Sequence, residues 1–386
     1  MSHFSFHRPS LAKQFCDVLC GGGILDAKSG MFLAAPRRVG KSTFLREDLV
    51  PEVITRGWFP VYVDLWANRD ADPAILISEA IKSALASLDG VVAKTAKSAG
   101  LDKLNFGAFV LDMSKAGLPE SFTVSDALEK LNQISNRHVV LIIDEAQHAL
   151  KTSTGVSLMF ALKAARDHLN RSNENPKLML VFTGSHRDKL AHFVLKRDQP
   201  FFGASITPFP LLGSDFVDAF TSWANAHLAE NNHLSSDAVL DAFKLVGHRP
   251  EMLRSIIGQI ALAGEAGKLS SILRDKAREF HDQIWYEMAS EFASLNPLQK
   301  AVLRVMIAKR GISYPPFSEE SMLEYKKITG EESLSTTSVQ AAIEALRDRG
   351  LIWNPSRGYY ALEDEGLAEW YHRSYADELT SIPPAQ

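Results

Sequence analysis

Through the first half of the chain, short apolar runs of strand length alternate with longer stretches whose apolar positions recur at helical spacing. That alternation builds a parallel sheet. Residues 31–35, 61–65, 138–143 and 177–182 read as buried strands, and 204–209 as a short fifth. The spacing predicts helices over 41–50, stopped by Pro51, and over 73–88 and 155–169. An insert of residues 89–136 separates the second helix from the third strand, and within it 104–111 has the pattern of a small extra strand pair. After Pro210 the pattern turns helical. Helices are expected over 214–228, 236–245, 250–263 and 270–292, with Ser and Asp near their starts as N-caps. Asn296-Pro297 opens a third region of three helices, 298–309, 319–327 and 337–349. It ends in a hairpin, 351–353 and 359–362, around Asn354-Pro355-Ser356-Arg357-Gly358.

A length of 386 residues fits two or three domains. With 46% hydrophobic and 23% charged residues, the chain has the composition of a folded globular protein. No apolar run nears the roughly 20 residues of a membrane helix. The N-terminal residues 1–9 lack a signal-peptide apolar segment, so a cytoplasmic protein without a membrane partner is expected. Cys16 and Cys20, four apart, would share one helix face as small core residues. The 42 Lys and Arg against 46 Asp and Glu give a net charge of −4. Attraction for nucleic acid must therefore come from a local patch. The 12 His show no metal-ligand spacing, and Trp58, Trp66, Trp223, Trp285, Trp353 and Trp370 read as core anchors.

Chemistry concentrates at strand ends. Ala35-Pro36-Arg37-Arg38-Val39-Gly40-Lys41-Ser42 has the spacing G-x-x-x-x-G-K-[ST], with Ala35 for the first glycine, between a predicted strand and helix. Backbone N–H groups of such a loop and of the helix start, through Thr43, cradle phosphates. Lys41 would reach the β- and γ-phosphates, Ser42 would offer its hydroxyl to Mg²⁺, and Gly40 allows close backbone approach. Of Arg37 and Arg38, one could face phosphate and the other pack outward; the sequence does not assign them. The apolar run from Val139 ends in Asp144-Glu145, two carboxylates where ligands bind in open α/β sheets. Asp144 is expected to position Mg²⁺ through water, and Glu145 to orient and polarise the attacking water. Leu180-Val181-Phe182-Thr183-Gly184-Ser185 ends another strand in small polar residues, so Thr183 or Ser185 would contact the γ-phosphate or the water. His186 and Arg187 follow at the same rim. The absence of an N-K-x-D guanine element favours ATP.

These segments at 35–42, 141–147 and 182–185 resemble the archaeal-type ATPases of the STAND and origin-recognition branch of AAA+ P-loop NTPases. Gly247-His248-Arg249-Pro250-Glu251-Met252-Leu253 resembles that group's G-x-x-P-x-x-L lid element. Tyr360-Ala361-Leu362-Glu363-Asp364 with Trp370 resembles the end of its winged helix, whose three-helix-and-hairpin order the C-terminal region follows. The resemblance spans about Arg8 to Arg373. It implies an α/β architecture with a P-loop ATPase core with a parallel sheet (1–210), a helical lid (211–293) and a winged-helix domain (294–386). It implies ATP with Mg²⁺, hydrolysis to ADP and phosphate, a lid that brings Pro250 to the nucleotide, and a nucleotide-dependent homo-oligomer. Arg8, in Phe6-His7-Arg8-Pro9, resembles the adenine-side element. Arg197 lies where a trans-acting arginine finger is often carried. In one departure, Pro250 occupies the region of the lid's sensor arginine, which leaves Arg249, Arg254 or neither for that role.

Two functions follow from the resemblance. In one, ATP drives assembly and engagement of duplex DNA through the winged helix. In the other, ATP state switches assembly with a protein partner. Residues 295–386 carry 10 Lys and Arg against 13 Asp and Glu, a net of −3, which offers little for phosphate neutralisation. In helix 337–349, Val339, Ile343 and Leu346 should pack on the first helix of the region, leaving Thr336, Gln340, Arg347 and the wing's Arg357 to touch a duplex.

Overall fold

Five parallel strands form the central sheet in the computed structural model, which describes residues 4–22, 27–99, 123–171, 176–263, 267–309 and 314–375. They are β1 (Met31–Ala34), β2 (Phe59–Asp64), β3 (Val139–Asp144), β4 (Leu178–Gly184) and β5 (Ile206–Pro208), in the order β2-β3-β4-β1-β5. Every residue of β3 and β4 is buried, as their unbroken apolar runs require. Alternation divides them between two cores. Leu141, Ile143, Leu180 and Phe182 face one, and Val140, Ile142, Met179 and Val181 the other. The register pairs Ala34 with Gly184 and Asp64 with Asp144, so four strands end at one edge. Because β4 lies between β1 and β3, its tip sits between the P-loop and the Asp144-Glu145 pair.

One core is closed by α1 (Pro9–Leu19), α2 (Lys41–Phe44) and α3 (Val50–Thr55). Pro51 does not stop the helix as expected. A π-helical turn, Leu45–Leu49, links α2 to α3 in one continuous helical run, and this wider turn lets the run continue through Pro51 at the start of α3. Cys16 is buried here, its thiol pushed up to about 12 mainly by burial, whereas Cys20 is exposed rather than in the core. The other core is closed by α4 (Pro73–Ala99), α5 (Val124–Ser135), α6 (Ser153–Leu169) and the short α7 (Arg187–Ala191). The second helix thus runs well past residue 88, and the insert holds a helix, α5, absent from the expectation. Its signal is a capping box: the Thr123 hydroxyl accepts the Asp126 N–H while Asp126 accepts the Thr123 N–H. The extra strand pair expected at 104–111 lies outside the described residues.

Four helices, α8 (Ser214–Asn225), α9 (Ser236–Leu245), α10 (Pro250–Ala263) and α11 (Leu269–Ala293), enclose a separate core of Phe216, Phe220, Phe243, Leu253 and Leu273. The chain continues through α12 (Pro297–Ala308), α13 (Glu319–Thr329) and α14 (Thr336–Asp348) to an antiparallel hairpin, β6 (Ile352–Ser356) and β7 (Tyr359–Leu362), and to α15 (Gly366–Ser374). Val339, Ile343 and Leu346 are buried with Val302 and Met306 of α12, as their spacing predicts. Tyr314, between α12 and α13, pairs with Tyr360 and adds a third chain to the hairpin. Strand β6 runs on through a bulge to Ser356, so the turn is tighter than expected, with Gly358 at φ 82°.

Candidate nucleotide site

The P-loop connects β1 to α2 along the sheet edge. Gly40 has φ 87°, a left-handed conformation that strains any other residue except Asn or Asp. Arg38 adopts it too, at φ 66°, and Glu145 at φ 55° after β3. Such strain persists where the surroundings over-determine it, and here two cases meet in one site. Ala35 is absent from the positive-φ residues among those described, which explains why an alanine serves there. Gly184 is required for space: a Cβ there would stand 2.6 Å from Gln147 Oε1 and 2.7 Å from Leu190.

Lys41 and Glu145, 104 residues apart, form an ion pair, Nζ to Oε1 at 3.1 Å, with Lys41 only 5% exposed and Glu145 14%. Glu145 Oε2 accepts hydrogen bonds from Ser185 Oγ at 2.8 Å and from Gln147 Nε2. Burial works against its charge, but Lys41 and these donors hold the carboxyl below its usual range. Asp144 is fully buried. Its Oδ1 accepts the Thr183 hydroxyl and the Glu145 N–H (3.1 Å), and its Oδ2 accepts the Tyr62 hydroxyl at 3.2 Å. Thr183 and Ser185 therefore divide the work: one holds Asp144, the other Glu145. Arg37 Nε donates to Ser185 Oγ at 3.3 Å.

A cavity of about 320 Å³ opens over these groups, lined by Pro36, Arg37, Arg38, Gly40, Lys41, Ser42, Thr43 and Glu145. Three residues missed by sequence reasoning also line it: Asp64, Trp66 and Arg69. Trp66 is not the core anchor it was expected to be. The available signal was at Asp64: β2, like β3, is an apolar run ending in Asp. Burial raises the Asp64 carboxyl, a Trp66 N–H opposes this, and the charges of Asp144 and Glu145 add to the rise. Converging carboxylates beside the Ser42 hydroxyl suit a hard cation such as Mg²⁺, which binds few protein oxygens and keeps water and phosphate ligands. No group of three or more His, Cys, Asp or Glu side chains that could hold a metal ion occurs among the described residues.

An adjoining cavity of about 590 Å³ shares Arg38, Gly40 and Thr43 and adds Arg8, Phe44, Leu212 and Pro250. Arg8 donates to the Pro210 carbonyl at 2.8 Å and stacks on Phe209, so it also ties the N-terminus to the segment entering α8. Arg249 lies over Phe280 and Arg254 over Trp223, and neither lines these cavities. Arg197 is elsewhere. It lines a third cavity of about 640 Å³ with Lys196, Gln340, Arg347 and Arg357, between the α7 side of the sheet and the α14–hairpin unit. Arg347 is not free, contrary to expectation: it binds Asp188 of α7 through Nε at 2.9 Å and Nη2 at 3.1 Å.

A 2-3-4-1-5 parallel sheet, with the 35–42 loop after its first strand and two acids after its third, is an AAA+-like P-loop fold. Solved structures agree on the fold. The Walker-type ATPase paby2304 of Pyrococcus abyssi matches at TM-score 0.51 and 17% identity, over 95% of each chain. The ADP form of the Aeropyrum pernix ORC2 protein matches at TM-score 0.53 and 12% identity, over 97% of this chain and 93% of that one. No family model matches the sequence, nor does any curated protein. Among the described residues no helix is long and apolar enough to cross a membrane.

Proposed function

We propose that the chain binds ATP with Mg²⁺ between the P-loop and the tips of β3 and β4 and hydrolyses it to ADP and phosphate. The observation that carries this reading is the Lys41–Glu145 pair, a cation and a base held together at the mouth of a phosphate-sized cavity. On phosphate entry Lys41 would exchange Glu145 for the β- and γ-oxygens, freeing Glu145 to orient water. Ser42 and Asp144 would hold the Mg²⁺, which supplies charge neutralisation of the phosphates. Thr183 would fix Asp144, and Ser185 would fix Glu145. Arg8 and Pro250 would flank the base on the lid side. The ADP form of the ORC2 protein supports nucleotide binding by this fold. Phosphate release by the Glu145→Gln variant tests the reading: a parental rate would remove Glu145 from the chemistry.

Nucleotide state would then govern assembly and duplex DNA engagement. Lys196, Arg197 and Arg357 support this, lining one cavity with no ion-pair partner among the described residues. A second reading, a switch acting on a protein partner, is favoured by one observation: Arg347 on the presumed reading helix is held by Asp188. Duplex binding by Glu145→Gln protein with ATP, at low and moderate salt, separates the two. Weak, salt-sensitive binding supports DNA, and none at low salt supports the protein partner.

A further inference from the structure

The sequence gives no hint of a role for Arg69, yet the fold carries it to the phosphate cavity. Asp64 Oδ1 accepts the Trp66 N–H at 2.8 Å, an Asx turn that bends the chain as β2 ends. The Trp66 ring packs edge-on against buried His148, centroids 4.6 Å apart. Burial, with help from Lys151, pushes the His148 ring down to about 4, so it adds no charge near neutrality. Trp66 carries two guanidiniums, with Arg69 3.6 Å and Arg37 4.6 Å from the ring centroid.

Two like charges on one indole repel each other, and a π face attracts each only weakly. Among the described residues neither guanidinium has an ion-pair partner, and Arg37 donates only to the neutral Ser185 hydroxyl. Lys41, by contrast, is already neutralised by Glu145. A polyphosphate entering the cavity meets Arg37 and Arg69 as charges without counter-ions. Both side chains are exposed, so an anion in the cavity has access to both.

We propose that Arg69, positioned by Trp66, is a catalytic residue supplied in cis, contacting the γ-phosphoryl oxygens where charge builds during hydrolysis. This rests on the ATPase reading above, and it removes the need for an arginine from a neighbouring subunit. In the reaction the water oxygen bonds to the γ-phosphorus while the bond to the β–γ bridging oxygen breaks. ADP leaves with that electron pair, and the water proton passes to Glu145 and on to solvent. Arg69 contributes its charge and its planar N–H fork, which match the phosphoryl oxygens better than an ammonium does.

The test is steady-state hydrolysis and ADP binding by the full chain over a wide range of protein concentration. Specific activity should be flat with concentration. Arg69→Ala should lower kcat about 100-fold or more while ADP affinity stays within about threefold, and Arg69→Lys should recover only part of the loss. Trp66→Ala should lower kcat, and Trp66→Phe should restore it, since a phenyl ring still offers a π face. Arg69→Ala with parental kcat overturns the proposal, as does specific activity that rises with concentration and loses that rise in Arg197→Ala. Lys41→Ala keeps the two readings apart. If it removes binding while Arg69→Ala changes nothing, the ATPase reading stands and the role of Arg69 falls. If it leaves binding intact, the ATPase reading itself falls.

Discussion

Two carboxylate–cation pairs sit near the tip of β4, and they are built for different ends. Lys41 and Glu145 touch through one nitrogen and one oxygen, and both face a cavity. Asp188, three residues beyond Ser185, takes Arg347 through two nitrogens, accepts the Asn354 N–H at 3.3 Å and lies beside His192. Glu363 closes the same junction by accepting the Arg187 N–H at 2.6 Å and the Asp188 N–H at 3.3 Å. On the proposed function the first pair is provisional, because each partner would have another use once phosphate and water arrive. The second is saturated, and it fastens the α14–hairpin unit to the parallel sheet. If the proposed function holds, one strand tip serves both a site that changes partners and a junction that holds them.

The largest effect should come from dissolving the provisional pair. Glu145→Gln removes the base, so phosphate release should fall at least about 100-fold. It also leaves Lys41 buried without its counter-ion, a costly state that bound phosphate relieves. ATP affinity should therefore rise, by up to about tenfold, rather than merely persist. Titration calorimetry beside a phosphate-release assay reads both; a fall in affinity would mean that Lys41 does not need to leave Glu145.

Breaking the saturated pair should act on stability and on DNA. Asp188→Ala strands Arg347. Because that side chain is 24% exposed, the cost should be about 2 kcal/mol, below the 3–5 of a fully buried pair. A lower melting temperature would register it. Freed Arg347 should also strengthen duplex binding and steepen its salt dependence by about one unit. Unchanged melting and unchanged DNA affinity together would show that the junction holds without Asp188.

The smallest effect is on pH. Burial disfavours the Asp188 carboxylate, but His192, 3.7 Å away, and the hydrogen-bonding Arg347 outweigh it and hold its pKa below the ordinary value. A depressed carboxyl stabilises the fold fully above the unfolded value of about 3.9 and loses that contribution as pH falls through the folded value. The melting-temperature gap between the parent and Asp188→Ala should therefore shrink as pH falls below about 4. A gap that widens in acid would reverse the assigned sign.

Reading the sequence located much of this. Unbroken apolar runs at β3 and β4 announced strands buried on both faces, and the spacing around Gly40-Lys41-Ser42 and Asp144-Glu145 marked both halves of the candidate site. What escaped depended on tertiary placement. Pro51 looked like a helix end, but a π turn carries the helical run past it. Trp66 and Arg69 belong to a loop without periodicity, and only the pairing of β2 with β3 brings them over the P-loop. Arg347 has the composition of a DNA contact, and nothing local reveals that Asp188, 159 positions earlier, claims it.

The central claim is that Lys41 serves phosphate and Glu145 in turn. Calorimetric titration of ATP with Mg²⁺ into the parent, Lys41→Ala and Glu145→Gln tests it most directly. The account predicts that Glu145→Gln binds more tightly than the parent and that Lys41→Ala loses at least about 100-fold in affinity, the loss of a charge-assisted contact to several phosphate oxygens. Parental affinity in Lys41→Ala would contradict it.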